Sequence, residues 1–415
     1  MDNVIVDHNN QGIFSIQVFI RTGSVYETKK EHGISHLLEH MMYKSKKDRT
    51  AKQLLLELVS MGGVFNAITN KDYTSFYIRA VEQNWKQCVD ILHSVVYDAH
   101  FKSDELETEK KVVVEEFMLY EDDIKDVTFD MAYDAYLASN NPYRKSVKGS
   151  LDVITTATPR DLKRYHSQHY SSGIIFINCS KRLHKQAITR VGSKFQIRKH
   201  TFDAQGTNNM FRNIGVPIVH VINQSQRAQN STIVMFKGFP YSDHRTITLD
   251  FVWDVLAGSL NSLLMLEVRE KRGLVYGMSA FNEAYAAMGV TGIYFTSSSS
   301  DTHTIIGYIT RILNKLKTTG LAEHVLKYSK SSYLNKLRYR LTDRQFADER
   351  AMIRRYYGCA WDEKDIINRL ERLSNKQIES VCSKVFDMTN ICVVSIGKYS
   401  DVEKTRKKIT NAILS

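Results

Sequence analysis

The two halves of the chain repeat one order of predicted strands and helices at an almost constant separation. Three pairs of matching strand positions carry this offset: Phe14 and Ser231 are 217 residues apart, Phe76 and Tyr294 are 218 apart, and Ile174 and Ile391 are 217 apart. A near-constant offset is what an internal duplication produces. The 415 residues are therefore predicted to fold as two copies of one unit, with two unrelated domains of similar layout as the alternative.

Each predicted unit combines strands with long helices. Apolar and β-branched segments predict strands at residues 4–6, 14–20, 74–81 and 174–179, and again at 218–222, 231–236, 290–295 and 391–396. Helical patterns such as that over 302–317 separate them. We expect an α+β fold in which each domain, at 1–197 and at 214–415, has a mixed sheet covered by helices. The polar residues 198–213 predict a linker between the domains.

The composition excludes several classes of protein. Lysine and arginine number 57 against 45 aspartates and glutamates, a net charge of +12, but no aromatic residues interleave the basic ones, so we expect no nucleic-acid partner. No apolar run approaches the roughly 18 residues of a membrane span. The five cysteines form no CxxC pair, which favours a reducing compartment. Since no signal peptide or presequence is visible, we expect a cytoplasmic protein, and a mitochondrial one only if a targeting segment lies outside this sequence.

The sharpest local feature is the pentad His36-Leu37-Leu38-Glu39-His40 on a helical pattern. At 100° per residue His36, Glu39 and His40 share one face of the helix, and the leucines point away. Histidines at i and i+4 can bind one Zn²⁺, and a carboxylate beside them is placed to accept a proton from water. This spacing is that of the inverted zinc-peptidase motif. The alternative is a pair of helix histidines hydrogen-bonded to water.

A third ligand is expected from another helix, and the pattern over residues 103–120 provides a candidate. On a helical wheel Glu116 lies in the middle of the apolar stripe, whereas Glu115 lies near the polar side. A carboxylate in such a position is costly unless it is paired or bound to metal. Glu109 shares the stripe two turns earlier and would orient a ligand. The alternatives are a buried salt bridge for Glu116 and a solvated carboxylate for Glu109.

Four segments resemble the insulysin, pitrilysin and mitochondrial processing peptidase family of zinc metallopeptidases, and the resemblance covers almost the whole chain. They are GISHLLEHM at 33–41, GGVFNAIT at 62–69, EKKVVVEE at 109–116 and REKRGLVY at 269–276. The resemblance implies one Zn²⁺ per chain bound by His36, His40 and Glu116, with Glu39 as general base and Glu109 as an auxiliary catalytic residue.

The same resemblance implies how a peptide would bind. The segment 62–69 is similar to the family's edge strand, along which substrate adds as an extra strand, so Gly63, Asn66 and Ala67 are expected to bind substrate. In the second half Arg269 and Tyr276, seven residues apart, resemble the family's pair that contacts the substrate near the metal. Arg272 is the competing arginine.

The second half has no histidine or glutamate at 253–257, the region aligned with the zinc helix, so it is predicted to be an inactive copy. By resemblance the two copies form a clam-shell related by a pseudo-two-fold axis. Chains of this length resemble the processing-type subfamily, in which two subunits enclose a chamber, either as a homodimer or with a related subunit. We expect a zinc endopeptidase that cleaves extended peptides; the alternative is a non-catalytic core subunit on the same scaffold.

Overall fold

The structure is a computed structural model that describes residues 4–8, 12–196, 198–199, 210–212, 215–224, 226, 229–298 and 300–415. These residues divide into two compact units. The first lies within Met1–Asp122 and Lys145–Phe202, and the second within Asp123–Arg144 and Asp203–Ser415. None of the described helices is both long enough and apolar enough to cross a membrane.

The described residues of the first part of the chain form six strands and eight α-helices in a mixed order. In chain order they are β1 (Val4–His8), β2 (Ile13–Ile20), α1 (Ile34–Met41), α2 (Ala51–Ser60), β3 (Val64–Thr69), β4 (Thr74–Val81), α3 (Trp85–Tyr97), α4 (Ser103–Asp122), α5 (Ile124–Tyr136), α6 (Leu151–Thr156), α7 (Pro159–His169), β5 (Ser172–Cys179), α8 (His184–Lys194) and β6 (Arg198–Lys199).

The rest of the chain contains a second set of strands and more helices. In chain order they are β7 (Ile218–Asn223), β8 (Asn230–Gly238), α9 (Arg245–Ala257), a π-helical segment (Met265–Glu270), β9 (Val275–Ala284), β10 (Gly289–Ser297), α10 (Thr302–Thr319), α11 (Glu323–Arg340), α12 (Arg344–Tyr356), α13 (Glu363–Glu371), α14 (Asn375–Val385), β11 (Cys392–Gly397) and α15 (Val402–Leu414).

The sheets of the two units have the same topology. The strand order is β1-β5-β2-β4-β3 in the first sheet, with β6 beside β5, and β7-β11-β8-β10-β9 in the second. In each sheet the first pair is parallel and the following pairs are antiparallel. Matching strands therefore occupy matching places, and the prediction of two mixed-sheet α+β units is confirmed.

The position of a strand in its sheet explains its sequence. β2 is central, and its alternate residues Phe14, Ile16, Val18 and Ile20 are fully buried in the core of the first unit. β3 lies at the sheet edge, where Val64, Asn66 and Ile68 are exposed. A central strand packs helices on its faces and reads as a continuous apolar run, whereas an edge strand alternates. The edge place of β3 leaves one side of its backbone unpaired within the described sheet.

One helix belongs to a different unit from the one predicted for it. The predicted boundary places α5 in the first domain, but the structure assigns Asp123–Arg144 to the second unit. Thr128 Oγ1 forms a 2.8 Å hydrogen bond with Ser231 Oγ, and Tyr136 Oη donates to Asn390 O at 2.7 Å. Position in the chain could not reveal which sheet this helix covers. Most of the predicted linker, 200–209 and 213, lies outside the described residues.

Candidate metal centre

A glycine turn and a buried carboxylate hold the start of α1. Gly33 has φ of 102°, a backbone conformation that favours glycine. A Cβ there would lie 2.8 Å from the Cα of Gly149, closer than packing allows. The Glu27 carboxylate accepts hydrogen bonds from the backbone N–H of Gly33 at 2.8 Å and of Ser35 at 2.9 Å. Burial raises the pKa of Glu27, and these hydrogen bonds oppose the rise.

The apolar face of α1 packs into the core of the first unit, as the helical pattern predicts. Ile34, Leu37, Leu38 and Met41 are buried. The opposite face carries the two histidines, whose ring centroids are 4.9 Å apart at an interplanar angle of 88°. Core packing therefore fixes the orientation of the helix and with it the direction of both imidazoles.

His36, His40 and Glu116 converge on one point. The Oε2 atom of Glu116 lies 3.6 Å from His36 Nε2 and 3.4 Å from His40 Nε2. Two atoms that each bind a tetrahedral Zn²⁺ at 2.0–2.1 Å are separated by about 3.3–3.4 Å. One ligand atom from each of the three residues lies within 4.8 Å of the other two, and these three form the one such group found among the described residues. The predicted set of ligands is therefore geometrically suited to zinc.

The protonation state of His36 also suits a metal ligand. Burial and the neighbouring His40 lower the pKa of His36 to about 4. Its side chain is 12% exposed. A neutral imidazole with a free lone pair is the form that binds Zn²⁺, so this ring is ready to bind a cation at neutral pH.

Glu109 orients His40 from the side away from the ligand point. Its Oε2 atom lies 3.2 Å from His40 Nδ1, while Oε1 forms an ion pair with Lys44 Nζ. A hydrogen bond to Nδ1 fixes the tautomer in which Nε2 carries the lone pair. The structure thus places Glu109 against a candidate ligand histidine, and the lysine compensates the charge of a carboxylate that is 7% exposed.

The general-base candidate Glu39 is also held by a specific contact. Thr69 Oγ1, at the end of the edge strand β3, donates a hydrogen bond to Glu39 Oε2. Burial raises the pKa of Glu39, and the bond from Thr69 opposes the rise. The charges of His40 and Glu116 also act on the pKa of Glu39, so its carboxylate lies near the candidate ligand group.

The predicted apolar stripe of α4 is only partly buried. Leu106, Glu109 and Val113 are buried, but nearer the end of the helix the Glu116 side chain is 34% exposed and Leu119 is 70% exposed. The expectation that Glu116 lies within a buried stripe is therefore wrong. The wheel predicts angles correctly, but it cannot show where the neighbouring elements stop covering the helix.

The predicted substrate-binding residues of the first half lie on or beside the edge strand. A Cβ at Gly63 would lie 2.2 Å from Arg79 O, so the close approach of the neighbouring strand requires glycine. Asn66 is exposed, and Ala67 is buried at 9% exposure. Tyr43 Oη donates to the backbone oxygen of Asn66 at 3.0 Å, which ties the edge strand to the loop after α1.

The second-unit candidates Arg269 and Tyr276 lie close to each other. The guanidinium of Arg269 is 5.9 Å from the Tyr276 ring centroid, and Tyr276 is 82% exposed. The competing Arg272 pairs with Glu267 at 2.9 Å and stacks on Tyr308 at 4.3 Å. Local contacts thus occupy Arg272. A role for Arg269 and Tyr276 beside the metal ligands stays a prediction.

Three residues that hold this centre were not predicted from the sequence. Lys44 lies one turn after His40, and Thr69 is the polar end of the recognised edge strand, so both carried a weak signal. Glu27 carried none, because nothing in its spacing indicates that it caps α1. Each of the three acts through a contact made by the folded chain.

Comparisons with known proteins agree with this geometry. Residues 3–149 match the family described as Insulinase (Peptidase family M16), and residues 208–333 match the Peptidase M16 inactive domain. The chain belongs to the M16 peptidase family. The single metal-binding group among the described residues lies in the first of the two matched regions, and the second is of the inactive type.

Relatives of this M16 chain include zinc proteases and a processing-peptidase subunit. It is 27% identical over 328 residues to the "Uncharacterized zinc protease YmxG" of Bacillus subtilis, covering 79% of each chain. It is 22% identical over 404 residues to "Mitochondrial-processing peptidase subunit beta" of Caenorhabditis elegans, covering 95% of this chain and 87% of that one. A protease from Helicobacter pylori has a similar fold, with a TM-score of 0.84 at 20% identity over 95% of this chain and 96% of that one.

Proposed function

We propose that this chain is a zinc-dependent endopeptidase that cleaves extended peptides or small unfolded polypeptides. The observation that carries the proposal is the convergence of His36, His40 and Glu116 on one point, with Glu39 beside it. The naming of several M16 relatives as zinc proteases supports it. We propose one Zn²⁺ per chain because the described residues contain a single group of this kind.

Each residue around the ligand point has a separate role in the proposed reaction. A zinc ion bound there would polarise the scissile carbonyl and lower the pKa of a water. Glu39 accepts a proton from the attacking water and delivers it to the leaving amine, the two successive tasks of a general base and acid. Thr69 holds the Glu39 carboxylate in one orientation, and Glu109 holds the His40 ring.

The edge strand β3 supports a substrate-binding role. An extended peptide would pair with its free side near Gly63, Asn66 and Ala67, and main-chain hydrogen bonds would bind many sequences. Arg269 and Tyr276 would contribute from the second unit, with Tyr276 donating a hydrogen bond to the oxyanion that develops at the cleaved carbonyl.

We propose in addition that two chains enclose a chamber, either as a homodimer or with a related subunit. The similarity to a protein named as a subunit of a processing peptidase supports this assembly. Light scattering on the purified protein measures it directly, because a monomer of 47.8 kDa and a dimer differ twofold in mass. A cytoplasmic location stays a prediction.

The decisive experiment separates metal binding from catalysis. Glu39→Gln is expected to keep stoichiometric zinc, measured by elemental analysis, and to lose nearly all cleavage of a fluorogenic peptide library. Glu116→Gln is expected to lose the metal as well. Glu115→Gln is the matched control, because it makes the same change on the same helix at an exposed position.

Each outcome bears on a named assignment. Parent-like cleavage by Glu39→Gln would show that this carboxylate is not the general base. A parent enzyme that binds zinc tightly but cleaves no peptide in the library would favour the alternative of a non-catalytic subunit on the same scaffold.

A further inference from the structure

The second unit contains a cavity that the proposed peptidase chemistry does not use. Its volume is about 640 Å³, within the range of roughly 300–1,000 Å³ typical of small-molecule sites. The first turn of α9, the end of α13 and the first turns of α14 line it. The metal-binding group lies in the first unit, so this cavity belongs to a separate site.

The side chains that line the cavity carry more positive than negative charge. Arg369, Arg372 and Lys376 line it with exposed side chains, and within the described part of the chain none of the three forms an ion pair. The acidic lining residue Asp365 is engaged in a reciprocal cap with Asp362, at 2.9 and 3.1 Å. The lining therefore carries three cations that form no ion pair against one carboxylate, that of Asp365, so its net charge is positive.

The start of α14 adds to the positive potential. Its first turn contains Lys376 and no acidic residue, although the N-terminal end of a helix dipole is positive and favours carboxylates. α13 follows the usual rule, with Glu363 and Asp365 in its first turn. A cation at the end of α13, such as Arg369, suits that helix, but Lys376 at the start of α14 destabilises its own helix unless an anion lies nearby.

Part of the cavity lining is buried and apolar. Ile247, Leu370, Leu373 and Val381 line it and are buried, each with less than 10% of its surface exposed. A buried apolar lining in the same cavity as three cations suits a compact ligand that has both a carbon skeleton and several charges.

We propose that this cavity binds a small organic anion that carries two or more phosphate or carboxylate groups. Arginine side chains present forked donors that match the oxygens of both groups, and a lysine adds a point charge. The two arginines and the lysine line the same cavity, so each offers donors to a ligand bound there. The site goes beyond the proposed peptidase function and does not depend on it.

Isothermal titration calorimetry on the zinc-loaded protein tests the proposal. Fructose 1,6-bisphosphate and tricarballylate are suitable probes because both are small, carry several anionic groups and bind metals weakly. Arg369→Gln/Arg372→Gln/Lys376→Gln is expected to weaken the affinity for the bound probe at least about tenfold. The scattered control Lys52→Gln/Lys185→Gln/Lys315→Gln removes the same charge from exposed positions and should change affinity less than about twofold.

The outcomes distinguish the ligand classes and the proposal itself. Binding of the bisphosphate alone identifies phosphate groups, and binding of tricarballylate alone identifies carboxylates; both outcomes support the site. If neither probe binds at 50 mM salt, the proposal is overturned. An equal loss of affinity in both triple variants would overturn it as well. Binding confined to a single-stranded DNA oligonucleotide would also refute a small-ligand site. Because no cleavage is measured, failure here leaves the peptidase proposal unaffected.

Discussion

Replacement of Glu109 by glutamine tests how far a residue behind a ligand controls the metal. The carboxylate accepts from His40 Nδ1 at 3.2 Å and pairs with Lys44. Glutamine has the same shape and can still accept that hydrogen bond, but it carries no charge. We therefore expect Glu109→Gln to fold, because Lys44 is 29% exposed and can be solvated by water.

The size of the effect follows from the change in this hydrogen bond. A bond to a charged group contributes about 1.5–3 kcal/mol and a neutral one about 0.5–1.5 kcal/mol. The loss of about 1–1.5 kcal/mol corresponds to a roughly tenfold weaker zinc affinity, since about 1.4 kcal/mol is a factor of ten. This lies at the lower end of the 10–100-fold losses typical of residues that orient metal ligands.

Competition titration of the apoprotein with a chromogenic zinc chelator measures the change. Glu115→Gln, on the same helix with an exposed side chain, should bind zinc like the parent. If Glu109→Gln binds zinc within twofold of the parent, or if both variants weaken equally, the contact between Glu109 and His40 does not control the ligand.

Three further predictions concern other contacts of the first unit. Thr69→Val should lower kcat about tenfold with little change in KM or zinc content, because Glu39 loses its hydrogen bond; Thr69→Ser should restore the rate, and an equal loss in both variants argues against the contact. Burial lowers the pKa of Lys46 to about 7, so the unfolded state binds more protons between pH 7 and 10.5 and stability rises with pH there. In denaturation experiments with chelator present, the free energy of unfolding of the parent should rise between pH 7 and 9 by about 2 kcal/mol more than that of Lys46→Met. The exposed control Lys47→Met should show the same rise as the parent. Gly33→Ala should destabilise the protein by about 2–4 kcal/mol through strain and overlap, and unchanged thermal unfolding would contradict this.

Helical periodicity was sufficient to predict which candidate ligands converge, but not their surroundings. His36 and His40 lie within one helix turn, so their common direction follows from the geometry of α1. Glu116 is 76 residues beyond His40, and a buried stripe was expected around it. The structure brings Glu116 to the histidines while leaving its side chain 34% exposed, because the buried part of α4 ends at Val113.

The sequence alone determined the duplication and its consequence. A constant offset between matching strands implies two copies of one folding unit. The five matching strands have the same order in both sheets because each copy repeats the same apolar segments. The chemical types of the candidate metal ligands could equally be predicted from the sequence, since they depend on residue identity and helical spacing.

Only the tertiary structure decided which distant groups meet. Thr69 contacts Glu39 across 30 residues, Glu109 contacts His40 across 69, and α5 packs on the second sheet despite its place in the first half of the chain. These contacts depend on how helices and strands pack, and the free energy of packing is shared among many residues of a core. No local pattern records them, so the tuning of the site is a property of the folded chain.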